Sequence, residues 1–503
     1  MDCIAMILTR LRLPFFDKRV ESFVLSSLFT LASDSAIYLA GVLMIGLGNF
    51  VLLPLYTRYL SPAEFGVYSL VDITILVLVT VTQLGLGVSY LKWFADLGGT
   101  QRGTILGSTL ITGSLAAFVG GGLLAIVVES PLGERWLQIP ERSFAWTLLP
   151  IVVLENVQGL LLTDLRARRK AAIFSAAALI RLLAIVGASL WFIAAQRQGL
   201  NGIFLGRLFG NSLGVLVILA PVFLAGHLRV AWPIAAAMVR YGLPLTWSAL
   251  MAMMLDASGR YFLSLYSTME QIGLYGVAIK IGNVFQMLVN QPFGIAWGAL
   301  MFQIAKQPNA RFVYSKILSY LLVVSLSAAL LFVLFTPLLF SIFATDSYAA
   351  ATAVFPFVLL VRAVQVMEYP TAVGIYLSGR TKHFALIYTI GLASNIAANY
   401  VVTPAYGMFG AAWAWLIAWM LITSLMLWVG HRYYPLDYYW KLALIPVTLW
   451  VLVLFNVWWL LPVLSVHLLV QLLLAFILIA SVGLLLISDI RVGRKKIAEE
   501  KPV

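Results

Sequence analysis

Long apolar runs broken by short polar segments set the pattern of this chain. Windows of about 20 apolar residues, enough to cross a hydrocarbon core, fall near 35–57, 67–90, 104–128, 144–163, 172–195, 202–225, 241–265, 274–300, 313–342, 350–377, 384–403, 407–429, 441–461 and 464–488. They predict an all-α polytopic membrane protein with about 14 transmembrane helices.

The pattern repeats. Tyr59-Leu-Ser-Pro-Ala-Glu-Phe-Gly-Val-Tyr68 returns as Tyr266-Ser-Thr-Met-Glu-Gln-Ile-Gly-Leu-Tyr275, an offset of 207. Gly199 and Gly202 answer to Gly407 and Gly410 at an offset of 208. The first copy of the motif follows span 1 and the second follows span 7. An even number of spans separates them, so the two halves run in the same direction. The expected plan is two pseudo-symmetric six-helix lobes, 35–228 (spans 1–6) and 229–435 (spans 7–12). They are related by an axis along the membrane normal and frame a central binding site. A cytosolic amphipathic lead-in, 1–34, precedes them, and spans 13 and 14 with a basic tail occupy 436–503.

Within the first motif, Ser61-Pro62-Ala63-Glu64 reads as N-cap, proline at N1 and acid at N3, a capping box that starts span 2. Gly66 allows a neighbouring helix to approach closely.

Composition narrows the class. Hydrophobic residues are 62% of 503 and charged residues 11%, with a mean hydropathy of +0.98, which leaves no stretch for a soluble domain. The single cysteine, Cys3, excludes a disulfide framework. The start lacks the basic, apolar, small-residue order of a cleaved signal peptide. With the N-terminus placed in the cytosol, 24 of the 33 basic residues fall in cytosolic segments. Only Arg58, Arg135, Arg142 and Arg197 fall outside. This asymmetry supports both the helix number and two cytosolic termini. It also accounts for the net charge of +13, which is topology and lipid headgroup contact and not nucleic-acid binding.

The first motif resembles the polysaccharide transporter branch of the multidrug/oligosaccharidyl-lipid/polysaccharide (MOP) exporter superfamily. Leu377-Ser-Gly-Arg-Thr-Lys382, Asn395, Asn399-Tyr400, Pro404 and Tyr406-Gly-Met-Phe-Gly-Ala-Ala-Trp413 are similar to the same branch. The resemblance spans roughly residues 35 to 430. It implies a Wzx-like oligosaccharide flippase of the bacterial inner membrane. Such a protein moves polyprenyl-pyrophosphate-linked oligosaccharide, a repeat unit of O-antigen or exopolysaccharide, to the outer leaflet. The implied partners are that glycan, membrane lipids and a glycan polymerase or other assembly protein. No cofactor is implied.

Charges inside spans are expensive and mark cavities or internal pairs. The cations are Arg181, Arg207, Arg260, Lys280 and Arg362, and the acids are Asp72, Glu155, Asp256 and Glu368. Arg260 and Lys280 are expected to share a depth one to two turns from the outer surface, with Arg181 and Arg362 near the midplane. As a cluster the cations suit a pyrophosphate and acidic sugars. The acids are candidates for proton or ion coupling. The residues equally allow internal pairing, since Asp256 and Arg260 stand at i and i+4 and five cations nearly balance four acids.

Trp413, Trp415, Trp419 and Trp428 are candidate sugar platforms or packing residues. Gly120-Gly-Gly122 and the pair Gly85 and Gly87 suggest tight helix contacts, and the four dispersed histidines suggest no metal site. A MATE-type drug exporter or a lipid II flippase shares the two-lobe plan. A drug exporter fits less well because the centre of span 1 offers Asn49 and not an acid. A membrane glycan polymerase or ligase needs a large outer domain. The longest outside loop, near 129–143, is about fifteen residues, which is too short. No nucleophile–base set is legible, so the chain does not read as an enzyme.

Overall fold

The computed structural model describes residues 50–97, 101–131, 133, 144–224, 228–307, 310–380, 382–436, 444, 447–448 and 450–451. Among them the chain is helical and contains no strand. The lead-in, most of span 1, all of span 14 and all but five residues of span 13 lie outside the described residues.

The helices are α1, described over 50–59, α2 Pro62–Thr82, α3 Leu86–Leu97, α4 Arg102–Glu129, α5 Ala145–Ala167, α6 Ala171–Leu190 and α7 Gly199–Leu224. In the second half they are α8 Trp232–Tyr266, α9 Met269–Phe285, α10 Gln291–Ile304, α11 Ala310–Leu334, α12 Thr336–Phe343, α13 Ala351–Gln365, α14 Glu368–Thr371, α15 Val373–Leu377 and α16 Lys382–Tyr433. Nine helical stretches among the described residues are long and apolar enough to cross a membrane. One of them, α16, holds two expected spans. At 1.5 Å per residue its 52 residues would reach about 78 Å, far beyond a hydrocarbon core. It reverses at Gly407, whose φ of 54° is a left-handed conformation that glycine adopts without a Cβ penalty. The 35-residue α8 is not one of the nine; it carries Asp256 and Arg260, which line the cavity described below.

Helices of the first half pack on one another, α4 on α5, α6 on α7 and α5 on α7, as do α8, α9, α11, α13 and α16 of the second. The halves meet where α2 packs on α9 and α8. Here the repeated motif closes on itself. A Cβ on Gly66 would collide with the carbonyl of Met269 and lie 3.1 Å from the nitrogen of Gly273. A Cβ on Gly273 would collide with the carbonyl of Pro62 and lie 3.0 Å from the nitrogen of Gly66. Residues 62 and 269, like 66 and 273, are partners under the offset of 207, so the contact exchanges with itself as a two-fold relation requires. Only hydrogen at Cα permits this approach of two backbones. At the far end of α2, Gly85 collides in the same sense with Gly242 of α8, whereas Gly87 has ordinary room.

The caps of the two copies differ. Ser61 and Glu64 form the expected box: the Ser61 N–H donates to Glu64 Oε2 at 2.8 Å and the Glu64 N–H to Ser61 Oγ at 3.3 Å. In the second copy Thr268 Oγ1 accepts the Gln271 N–H at 3.3 Å, but the Gln271 side chain does not turn back. Its Oε1 accepts the Met408 N–H at 3.1 Å, just past the reversal of α16.

At the end of the bundle opposite the motif, Asp164 of α5 is fully buried and holds three elements. It accepts the Tyr90 hydroxyl at 2.6 Å, two guanidinium N–H groups of Arg102 at 2.9 Å each and one from Arg168 at 3.0 Å. Removing the acid leaves the buried Tyr90 hydroxyl without its acceptor, at about 1–3 kcal/mol, and unpairs two half-buried arginines. Asp164→Ala is therefore expected to lower the thermal midpoint of the purified protein sharply. A midpoint within a degree of the parent would show that the cluster is not structural.

Candidate functional site

The halves enclose a cavity of about 750 Å³, within the range of pockets that hold small ligands. All nine intramembrane charges singled out from the sequence lie on its wall. Measured along each helix from its motif-side end, Arg260 lies about 9 Å in, Arg207 about 12 Å, Asp72, Glu155 and Asp256 about 15 Å, and Lys280 and Arg362 about 16 Å. Lys280 is deeper than its expected one to two turns. The reason is that α9 begins at the Thr268 cap, five residues before the apolar window suggested.

Three cations and two acids form one chain of contacts. Arg207 of α7 donates from Nε and Nη2 to the two oxygens of Glu155 on α5, at 2.7 and 2.9 Å, and from Nη1 to Asp72 of α2 at 2.7 Å. Lys280 of α9 completes the chain across the interface between halves, donating to the other Asp72 oxygen at 3.0 Å and to the Tyr68 hydroxyl at 3.1 Å. Arg181 of α6 lies 3.5 Å from Glu155 and donates to Asn211 at 2.8 Å. The Asn211 amide in turn donates to Glu155 at 3.1 Å.

A second group surrounds Arg362 of α13, which is only 2% exposed. Its guanidinium donates to Gln365 and Asn283 at 2.7 Å each, lies 3.5 Å from Asp256 and sits 4.8 Å over the Trp415 ring. Asp256 thus turns to Arg362 and not to Arg260 one turn along its own helix. The i,i+4 pair allowed by the sequence is not made.

Arg260 is left over. It is 6% exposed, lines the cavity and makes no hydrogen bond or ion pair among the described residues, and its Nε is buried without a partner. Burying a cation without compensation is costly, so such a position fits a group whose partner arrives from outside. Glu368 is its mirror among the acids. Its Oε1 accepts the Tyr388 hydroxyl at 2.5 Å and no cation pairs with it among the described residues.

The tryptophans divide. Trp419 lines the cavity and Trp415 lies under Arg362, while Trp413 packs on Phe357 at 5.3 Å and Trp428 lies under Arg432. Amides were the signal that the sequence reading passed over. Gln158, Asn283, Gln286, Asn290 and Gln365 all line the cavity. Inside apolar helices an amide is nearly as anomalous as a charge, and Gln365 follows Arg362 at i+3, a helical neighbour. Asn395 and Asn399 are instead structural. Ser258 of α8 bonds Asn395, which accepts from Asn399 at 3.0 Å, and Asn399 accepts from Thr403 at 2.8 Å, all fully or nearly fully buried. Among the described residues no cluster of His, Cys, Asp and Glu is large enough to hold a metal ion.

The profile of a family described as polysaccharide biosynthesis protein matches residues 31–305. No curated protein matches the chain. Among solved structures, the lipid II flippase MurJ in an inward closed conformation superposes with a TM-score of 0.72 at 12% identity, covering 91% of this chain and 99% of that one. A multidrug resistance MATE family transporter of the MOP superfamily in an inward-facing conformation gives 0.60 at 12% identity, covering 77% of this chain and 93% of that one. An outward-facing conformation of such a transporter gives 0.55 at 14% identity, with 79% and 95% covered. At these identities the likeness is one of fold. With more than half of its length matched by the profile, the chain belongs to the polysaccharide biosynthesis protein family and has the fold of the MOP superfamily.

Proposed function

We propose that this protein is a flippase for polyprenyl-pyrophosphate-linked oligosaccharide. It carries the repeat unit from the cytosolic to the outer leaflet of a bacterial inner membrane by alternating access. The observation that carries this reading is Arg260, a buried cation without a carboxylate on the wall of a cavity between the two halves. A guanidinium in that position matches a phosphate in charge and in bidentate geometry. Arg207 and Lys280 share Asp72, and Arg207 and Arg181 share Glu155, so this chain of contacts holds one cation more than it holds acids. A pyrophosphate entering beside Arg260 competes with Asp72 for Lys280, the one member of that chain contributed by the other half. Arrival of the headgroup then loosens the contact that ties the halves together.

In this scheme lobes 35–228 and 229–435 rock about the pseudo-two-fold axis, both termini are cytosolic and the motif end is the outer one. The glycan headgroup crosses inside while the polyprenyl tail stays in lipid. A glycan polymerase is the natural recipient of the product. Leaflet-resolved mass spectrometry of polyprenyl-linked glycans, in cells with and without the gene, tests the reading. Deletion is expected to trap one lipid-linked oligosaccharide on the cytosolic face. Unchanged glycans after deletion would sink the proposal and turn attention to drug efflux.

A further inference from the structure

Outside the cavity, the final turns of α16 gather three arginines on three rings. Arg432 lies 3.8 Å over Trp428, Arg380 4.6 Å over Tyr433 and Arg311 5.4 Å over Tyr434. They come from the end of α16, the turn between α15 and α16 and the start of α11. Significant cation–π contacts occur about once in 70–80 residues, so three on one short stretch of helix are a concentration and not a scatter. Arg380 is held further: it donates to the Tyr433 hydroxyl at 3.1 Å, and that hydroxyl lies 3.3 Å from Nε2 of His383. A ring beneath a guanidinium leaves most of its in-plane N–H groups turned outward, and all three arginines are exposed.

No carboxylate answers them among the described residues. Of the four described acids of the second half, Asp256 and Glu368 line the cavity, while Glu270 and Asp346 stand at the motif end. The first half does the opposite at this end, turning Arg102 and Arg168 to Asp164. The helix rise sets the level. Tyr406, 67% exposed beside the reversal of α16, marks one border of the hydrocarbon. Trp428, 54% exposed, lies about 32 Å down the returning arm, close to one hydrocarbon thickness, with Arg432 a turn beyond it. Lys382 is as far from Gly407 along the incoming arm and joins at the same level.

We infer that this end of α16 is a binding surface for anionic phospholipid. Arg311, Arg380 and Arg432 hold headgroup phosphates, and the acyl chains lie along the exposed face of Ile417, Met420 and Trp428. Topology alone asks for cations at such a border but not for rings beneath them. A bound lipid joins α11, the α15–α16 turn and α16, so it stiffens the second half. A zwitterionic headgroup brings its own ammonium, which these cations repel.

Thermal unfolding of the purified full-length protein in a neutral detergent, titrated with phosphatidylglycerol or with phosphatidylcholine of the same chains, tests the inference. Phosphatidylglycerol is expected to raise the midpoint saturably and phosphatidylcholine to leave it level. Arg380→Gln combined with Arg432→Gln should keep the lipid-free midpoint and raise the half-saturating phosphatidylglycerol concentration about thirtyfold. Lysine at both positions should restore most of the affinity. In the unaltered protein, raising salt from about 0.05 to 0.5 M should weaken the response, because exposed charges are screened. Arg260→Ala should leave it unchanged, which separates this surface from the cavity.

Equal responses to the two lipids overturn the inference, as does a response undiminished in the glutamine variant or indifferent to salt. If the glutamine variant has a lower midpoint without lipid, the salt dependence of the unaltered protein decides. A short-chain polyprenyl pyrophosphate that acts through these arginines while phosphatidylglycerol does not would assign the surface to the transported lipid and sink the phospholipid site. Inorganic phosphate acting as strongly as phosphatidylglycerol would show an ion site with no lipid.

Discussion

Arg260→Ala is expected to stop translocation without loosening the protein. Among the described residues the side chain makes no bond that its removal would orphan, so the thermal midpoint should stay level or rise as an uncompensated buried charge is removed. A charge-assisted hydrogen bond contributes about 1.5–3 kcal/mol, and each 1.4 kcal/mol is tenfold in affinity. Loss of the phosphate contact should therefore weaken lipid pyrophosphate binding by roughly ten- to a hundredfold. Arg207→Ala makes the contrast. It strips two acids of their strongest partner, at 2.7 Å to each, and should cost about 3–5 kcal/mol of stability. Thermal unfolding and headgroup binding measured on both variants decide the matter. If Arg260→Ala unfolds early and Arg207→Ala alone loses binding, the assignment of anchor and scaffold is reversed and the proposal fails.

A second large effect concerns the motif glycines. Gly66→Val places carbon where the Met269 carbonyl lies, a backbone collision that no side-chain rotation relieves. Overpacking costs about 1–3 kcal/mol, enough to shift a two-state balance about five- to 150-fold toward the state in which the motif end is parted. Gly242→Val acts at the opposite end, against Leu84 and Gly85, and should favour the reverse state. In a background with Cys3 replaced by serine, a cysteine at the cavity-lining position of Leu76 reports the outcome. An impermeant maleimide added from the outer face is expected to label the Gly66→Val protein faster and the Gly242→Val protein slower than the parent. Equal rates in all three would mean that these contacts do not control access.

Much of the fold was legible because a membrane leaves few choices. The apolar windows marked most crossings, and the Ser61–Glu64 box formed as spaced. Gly66 met a neighbouring helix as expected, though the neighbour is its own repeat. Element ends were less legible. The Thr268 cap starts α9 upstream of its apolar run, and Leu84 and Gly85, both at positive φ, break the second apolar stretch into α2 and α3. The charges could be found but not paired. Period and spacing put Asp256 beside Arg260, while the side chain turned to a helix far away in sequence. Which cation stays single depends on relative helix rotation, a property of packing between elements. Asp164 escaped notice because it sits at a helix end, where an acid is usually solvated, and not under Tyr90 and two arginines.

The unequal caps of the two motifs give the machine a handedness that its repeat conceals. In the first copy the acid at N3 clasps its own serine, and that lip is tied to the second half by the Tyr348 hydroxyl, which donates to the Leu60 carbonyl at 2.9 Å. In the second copy Gln271 is a tie-rod to the reversal of α16. Displacing the second lip pulls on the hairpin at Gly407 and so on both arms of that long helix, Trp419 included. The two lips are thus fastened to different partners, the first to Tyr348 and the second to the hairpin whose outgoing arm carries Trp419 into the chamber wall.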